Sequence, residues 1–487
     1  MPPSPMSSFP DRSSVQITES PYLIFFIAVL LLHRLLQGSH DRQKVLLTIA
    51  SYYFYATLDW RFLGLLVALT AINFVAGAWV AGAGTPAQKR IGVWGAVLLS
   101  VGILGYFKYL NFFGQMINSL SAWFGGNSLV PFVEVILPVG ISFMTFQAIS
   151  YPIDLYYGRL KRPFGLLDFS MFLAFFPRLL AGPIVPAAQF LPQLATVAPR
   201  VGADQRFEGM ALIMLGMFKK VVLADILGSH LVNPAFTDPA AYASPFLWIA
   251  LVGYSFQVYL DLSGYSDMAI GAARMLGYEL PSNFNRPYMA TSIGGFWRRW
   301  HISMSSFFRN YLYIPLASSW KAPAAVNLLI VFVAIGLWHG AGMNFVMYGL
   351  IHGSLVAYER FRKDRRARLK LAPKEYRGPA LAGRIAFIFS IVVLSRILFR
   401  SPDFASAGTY LGLMLSSPGT AFPLTTAAAM VLAVAAFMHF SPLRWRDAAM
   451  RALSGASEWK TGVAFVGMLY VAAAFTQKSG GFIYFRF

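Results

Sequence analysis

The chain has 487 residues, of which 57% are hydrophobic, 16% aromatic and only 12% charged. Soluble domains carry roughly 25% charged residues, so a large water-soluble domain is excluded and a membrane-embedded chain is expected. The formal charge of +20 sits in loops with no basic groove of interleaved aromatics; this excludes a nucleic-acid partner and fits cytoplasmic loops enriched in Lys and Arg. With no cysteine the chain has no disulfide, no thiolate metal site and no acyl-cysteine intermediate.

Residues 1–20 are rich in Pro and Ser and are expected to form a disordered tail. The basic start and small-residue cleavage site of a signal peptide are missing there. Residues 21–487 are expected to be one membrane-embedded domain. Apolar runs recur from Tyr22 to Phe475, and each run of about 20 residues can cross the roughly 30 Å hydrocarbon layer as a helix. The first four runs are 21–36, 45–56, 62–80 and 91–106. Arg34 lies near the end of the first run, Arg42 and Lys44 follow it, and Lys89 and Arg90 follow the third, which puts those loops in the cytoplasm and the N-terminus outside. Residues 111–124 are amphipathic and too short to span, which predicts a helix lying in the interface.

Leu137-Pro138-Val139-Gly140-Ile141-Ser142, Phe176-Pro177-Arg178 and Ala181-Gly182-Pro183 interrupt apolar stretches. Irregular backbone at membrane depth is tolerated where it lines a cavity or is buried in protein. Further spans are expected at 210–227, which contains Lys219 and Lys220, and at 245–260. The second leads into Asp261-Leu262-Ser263-Gly264-Tyr265-Ser266-Asp267, too polar to face lipid. Paired carboxylates suit acid–base work on a glycoside or a proton relay; fixing helix ends through Arg or backbone donors is the favoured reading. Later runs lie at 325–338, 345–358, 385–398, 424–440 and 463–475, with a basic cluster from Glu359 to Arg377 expected in the cytoplasm. The whole predicts an all-α, polytopic integral membrane protein of roughly 10–12 helices with re-entrant or interfacial segments. No clear internal repeat is visible, which weakens an inverted-repeat transporter.

The costliest polar groups stand in Gly295-Phe296-Trp297-Arg298-Arg299-Trp300-His301-Ile302-Ser303-Met304 and in Trp338-His339-Gly340. Trp297, Trp300, Met304, Phe307, Phe308 and Tyr311 recur at helical spacing. That predicts one helix with His301 on its apolar face and Arg298, Arg299 and Arg309 off it, within reach of lipid phosphate or an anionic ligand. An imidazole withdrawn from water favours its neutral form, whose free nitrogen can accept a proton as a general base must. His301 and His339 could converge on a hydroxyl and a thioester, one taking the proton and the other donating to the developing oxyanion. Residue chemistry alone leaves this level with two hydrogen-bonded structural histidines. His33, His40, His230, His352 and His439 take the structural reading, His352 least firmly. No H-x-H or H-x₃-H spacing occurs, so no metal is expected.

Asn283-Phe284-Asn285-Arg286-Pro287-Tyr288, Phe296-Trp297-Arg298-Arg299-Trp300-His301-Ile302-Ser303 and Tyr311-Leu312-Tyr313-Ile314-Pro315-Leu316 resemble the membrane-bound O-acyltransferase family, nearest the branch of the bacterial alginate O-acetyltransferase membrane subunit. The likeness includes Leu137-Pro138-Val139-Gly140-Ile141-Ser142-Phe143, Asp261-Leu262-Ser263-Gly264-Tyr265-Ser266-Asp267-Met268, Gly336-Leu337-Trp338-His339-Gly340 and the ending Phe482-Ile483-Tyr484-Phe485. It implies a disc of helices around a central tunnel. His339 matches the family's catalytic histidine and His301 the second histidine of this branch; Trp297, Arg298, Arg299, Ser303, Trp338 and Asn344 are expected to bind substrate. The resemblance implies acyl transfer from a cytoplasmic thioester (acetyl-CoA or another acyl thioester, with no bound cofactor) to an acceptor across the bacterial inner membrane. The acetyl group then passes to a periplasmic polysaccharide acetyltransferase, a partner alongside other exopolysaccharide-assembly proteins. Asn310 where the branch usually has Asp, Ala317-Ser318-Ser319 for a Gly-Gly-Asn-like turn and Arg178 for Gln are departures that bear on the substrate rather than the reaction. A transporter or flippase of a lipid-linked sugar, using the same polar residues, is the alternative.

Overall fold

The computed structural model describes residues 20–442 apart from Ala181, 196–200, Lys321 and Pro373, with isolated positions between 444 and 470. Residues 1–19, most of the run at 463–475 and the Phe482-Ile483-Tyr484-Phe485 ending lie outside the described residues. The described elements are helices, with one isolated bridge between Tyr242 and Ala421.

Helices α1 (Ser20–Leu35), α2 (His40–Asp59) and α3 (Leu63–Gly82) open the chain. Between the last two the chain turns at Asp59, whose carboxylate accepts the Arg61 backbone N–H at 3.1 Å. Helix α4 (Pro86–Trp123) starts on a capping box formed by Thr85 and Gln88. Its 38 residues make it about 57 Å long at 1.5 Å per residue. The separate interfacial helix expected at 111–124 is thereby corrected: it is the last part of α4, since no Gly or Pro between Tyr106 and Phe113 interrupts the helix. Residues after it fold back along α4, where Asn118 Oδ1 accepts from the N–H groups of Leu129 and Val130 at 2.8 and 2.9 Å.

The break expected before α5 (Ile141–Tyr156) is present. Gly140 has φ 74°, and a Cβ there would stand 3.0 Å from the Leu179 carbonyl oxygen, so glycine answers both demands. Short helices α6 (Leu166–Ala174), α7 (Phe176–Leu179) and α8 (Ala187–Ala195) follow. Among them Arg178 is fully buried, donating to the carbonyls of Val185 and Phe172 with its guanidinium over the Phe172 and Phe190 rings.

Helix α9 (Ala203–Met217) continues through π-helical turns at Phe218–Ala224 and Gly228–Val232, which flank α10 (Asp225–Leu227) and lead to α11 (Asn233–Thr237). Helix α12 (Ser244–Met275) packs on α9 at backbone distance: a Cβ on Gly216 would lie 2.4 Å from the Gly264 carbonyl oxygen. Asp261 and Asp267 lie inside α12 and are ion-paired: Lys220 Nζ stands 2.8 Å from Asp261 and 2.7 Å from Asp225, and Lys219 Nζ 2.5 Å from Asp267. The carboxylates join two helices through lysines from within α12, a structural use, though not the Arg- or backbone-bonded helix end expected.

Helices α13 (Ile293–Trp297), α14 (Ile302–Phe308) and α15 (Ile314–Ser319) come from the motif-rich stretch. The single helix expected across it is corrected. The chain leaves helical geometry between Arg298 and His301, and His301 itself is left-handed at φ 42°, ψ 57°. Tertiary hydrogen bonds override the local period: the Asn285 N–H donates to the Arg299 carbonyl and the Ile302 N–H to the Asn283 carbonyl, each at 2.9 Å.

Helices α16 (Ala324–His339), α17 (Met343–Arg368), α18 (Gly378–Arg400), α19 (Phe404–Leu415) and α20 (Thr426–Phe440) complete the described fold. The stretches His40–Gly82, Pro86–Trp123, Ser244–Met275 and Gly378–Arg400 are long and apolar enough to cross a membrane, and four shorter apolar helices accompany them. Trp94, Leu98, Ile49 and Val75 are each more than half exposed. Contiguous apolar surface of this kind is stable against lipid rather than water. The protein is an all-helical, multi-pass membrane protein.

Candidate active site

Helices α16 and α17 meet at backbone contact, which fixes where α16 ends. A Cβ on Gly336 would sit 2.1 Å from the Phe345 carbonyl oxygen, and one on Gly349 2.3 Å from that of Phe332. The last residue of α16 is His339, and only Gly340, Ala341 and Gly342 separate it from α17. The His339 ring is 4.8 Å from the Trp338 ring, 4.9 Å from Phe399 of α18 and 6.2 Å from Tyr348 of α17. His301 approaches the same tryptophan from the break before α14, its ring 5.5 Å from Trp338 and perpendicular to it. Phe143 of α5 closes the group, 5.4 Å from Trp338. Both histidines are almost fully buried, at 1% and 2% exposure. The two residues singled out from the sequence are therefore brought together.

Around them the polar residues divide by what they touch. Trp297 is turned inward and donates to His352. Ser303 Oγ donates to Asn283 Oδ1 and accepts from the Ile184 N–H, both at 2.9 Å, so it ties the break to a neighbouring loop. Arg298 is exposed and Arg299 half-buried; with Arg286 they line a cavity of about 400 Å³ beside Leu381 and Ile385 of α18. Glu359 of α17 holds this corner in place, its carboxylate accepting the N–H groups of Ile293 and Gly294 at 2.7 and 2.9 Å where α13 begins. Asn344 is buried, donating to the carbonyls of Leu398 and Ser401 at 3.1 and 2.9 Å, and it borders a second cavity of about 750 Å³ with Gln115, Ser119, Trp123 and Asp403. Ile385 and Arg400 are separated by roughly 22 Å of helix, so the two cavities open at opposite ends of α18. His339 stands near the second of these ends, against Phe399.

Sequence reasoning passed over Arg396, Tyr348, Lys108 and Tyr109. Arg396 is fully buried with its guanidinium 4.3 Å from the Trp300 ring. Lys108 and Tyr109 of α4 donate to the carbonyls of Trp338 and Leu337. The signal was present, since an ionisable residue inside an apolar run marks a functional candidate by default. Among the described residues no group of three or more His, Cys, Asp or Glu gathers as metal ligands.

The model of the membrane-bound O-acyltransferase family matches residues 106–400, the span that holds both histidines and α18. The probable alginate O-acetylase AlgI of Pseudomonas syringae pv. tomato is 37% identical over 408 residues, covering 81% of this chain and 74% of that protein. The peptidoglycan O-acetyltransferase of Helicobacter pylori is 34% identical over 392 residues, 75% of this chain and 72% of that one. The teichoic acid D-alanyltransferase of Streptococcus thermophilus is 31% identical over 284 residues, 54% and 68% respectively. Together with the fold, these similarities define a multi-pass membrane acyltransferase. The chain belongs to the membrane-bound O-acyltransferase family, and its substrates include an acyl donor.

Proposed function

We propose that the protein moves an acetyl group from a cytoplasmic thioester, acetyl-CoA or a related donor, across the bacterial inner membrane for O-acetylation of an extracytoplasmic polysaccharide of the alginate type. The pairing of His301 and His339 on Trp338 supports this reading most directly. The cavity with Arg286, Arg298 and Arg299 lies at the end of α18 nearest the basic Glu359–Arg377 segment. That segment marks the cytoplasmic side, and three guanidinium groups suit the phosphates of a nucleotide-linked donor. The cavity with Gln115, Ser119, Asn344 and Asp403 offers hydrogen-bonding groups to an acceptor arriving from the other side.

In the transfer His339 takes the proton of the acceptor hydroxyl while its oxygen attacks the thioester carbonyl. His301 donates to the developing oxyanion. Collapse breaks the C–S bond, forms the C–O ester and returns the proton to the departing thiolate. The family match to the named alginate and peptidoglycan acetyltransferases favours acetyl as the group and a sugar polymer as its destination, reached through a periplasmic polysaccharide acetyltransferase and other assembly proteins. Residues 21–487 act as one membrane-embedded unit in this scheme.

His339→Ala tests it. The variant should insert and keep its thermal stability yet transfer no acetyl group from the thioester to polymer. Transfer at the wild-type rate would remove His339 from the chemistry.

A further inference from the structure

An α-helix ends with carbonyls that have no intrahelical partner, and in a membrane no water is at hand to satisfy them. At the end of α16 two of these carbonyls find donors on another helix. Tyr109 donates its hydroxyl to the Leu337 carbonyl at 2.8 Å, and Lys108 donates from Nζ to the Trp338 carbonyl at 2.5 Å. The donors are consecutive residues of α4, and the acceptors are the two residues just before His339. Lys108 Nζ thus stands at the end of α16 whose carbonyls have no intrahelical partner. On the opposite side the same turn is closed by α17, since a Cβ on Gly340 would lie 2.1 Å from the Phe345 ring. The final turn of α16 is clamped between two helices, and the α4 half of the clamp is polar.

We propose that Lys108 and Tyr109 are positioning residues for His339: they hold the last carbonyls of α16 and so keep the terminal turn from fraying and its imidazole from drifting. Ends of helices fray unless tied down. Transfer between groups that must meet within about 3–3.5 Å is sensitive to a displacement of about 1 Å, which can cost about 100-fold in rate. This inference rests on the role proposed for His339. It separates the function of α4 from that of the arginine-lined cavity, which lies at the other end of α18 and governs donor binding.

The test compares Lys108→Met, Lys108→Gln and Tyr109→Phe with the wild type in detergent or nanodiscs, by acetyl-transfer kinetics and by backbone hydrogen exchange of residues 336–345. Lys108→Met should lower kcat by about 100-fold with KM for the thioester unchanged, and should speed exchange at that turn. Lys108→Gln, whose amide can still reach the Trp338 carbonyl, should recover part of both. Tyr109→Phe removes a single hydroxyl without disturbing packing; it should show a smaller loss of the same kind, and it keeps the test decisive if Lys108→Met does not fold. Wild-type kcat and wild-type exchange in Lys108→Met would overturn the inference. So would a lowered kcat with unchanged exchange, which would assign the lysine to something other than positioning. A wild-type protein that transfers no acetyl group would overturn the proposed function instead, while the exchange measurement would still decide whether α4 holds the turn.

Discussion

Trp297 donates its indole N–H to Nδ1 of His352 at 3.3 Å, and that bond fixes the histidine's tautomer. An indole nitrogen only donates, so Nδ1 accepts and the ring proton is on Nε2. Nε2 then donates to Ser395 Oγ at 3.0 Å, whose hydroxyl donates to the Val392 carbonyl at 2.7 Å. Every polar atom in this chain across α13, α17 and α18 is used. His352 has no nitrogen left for a proton.

It follows that His352→Ala should be a stability variant. Leaving the Trp297 N–H unpaired costs about 1–3 kcal/mol, before the loss of packing. Thermal unfolding in detergent should drop clearly, while folded protein at low temperature retains transfer. A stable His352→Ala with no transfer would make this histidine part of the chemistry.

The left-handed backbone at His301 predicts an ordering of variants. A non-glycine residue in that region costs about 1–2 kcal/mol, which glycine avoids. His301→Gly should therefore unfold at a higher temperature than His301→Ala, although under the proposed function both should lose acyl transfer with the imidazole. Equal melting temperatures would mean that the neighbouring hydrogen bonds, not the dihedral, govern this position.

Lys220 is 2% exposed and bonded to both Asp225 and Asp261. Lys220→Ala leaves the buried Asp261 and the half-buried Asp225 without their cation and should cost about 3–5 kcal/mol. Lys220→Met combined with Asp261→Leu should recover much of that loss. If the double variant folds and still transfers acetyl groups, Asp261 has no acid–base role; a folded but inactive double variant would reopen it.

Gly336 touches the Phe345 carbonyl through the space a Cβ would fill. Gly336→Ala must separate α16 from α17, at a cost of about 1–3 kcal/mol, and moves His339 with α16. Transfer should fall further than stability does, as read by kcat beside the melting temperature. A variant with normal kcat would show that α16 can shift without carrying the imidazole out of reach.

Arg298→Glu with Arg299→Glu should raise KM for the thioester by tenfold or more, on the order of the loss of one charge-assisted hydrogen bond, and leave the acceptor's KM alone. An effect on the acceptor instead would reverse the assignment of the two cavities.

Composition and apolar periodicity sufficed for the fold class, because lipid demands continuous apolar helices and leaves few alternatives. The breaks at Gly140 and Phe175 were legible for a similar reason: Pro and Gly act locally. The helix drawn through His301 was not, since the bonds that break it come from Asn283 and Asn285, which lie 16 or more residues away in the chain. The segment 111–124 misled in the other sense, because polarity along one face describes what surrounds a helix and does not end it.

By itself, then, the sequence determined that this is a multi-pass helical membrane protein and which histidines to examine, since those follow from hydropathy and from motifs contiguous in the chain. Tertiary structure alone decided that His301 and His339 share Trp338, that His352 is fully engaged, and that Lys108 and Tyr109 grip the end of α16. Each of these depends on side chains brought together by helix packing, and periodicity within one helix carries no information about which other helix it will meet.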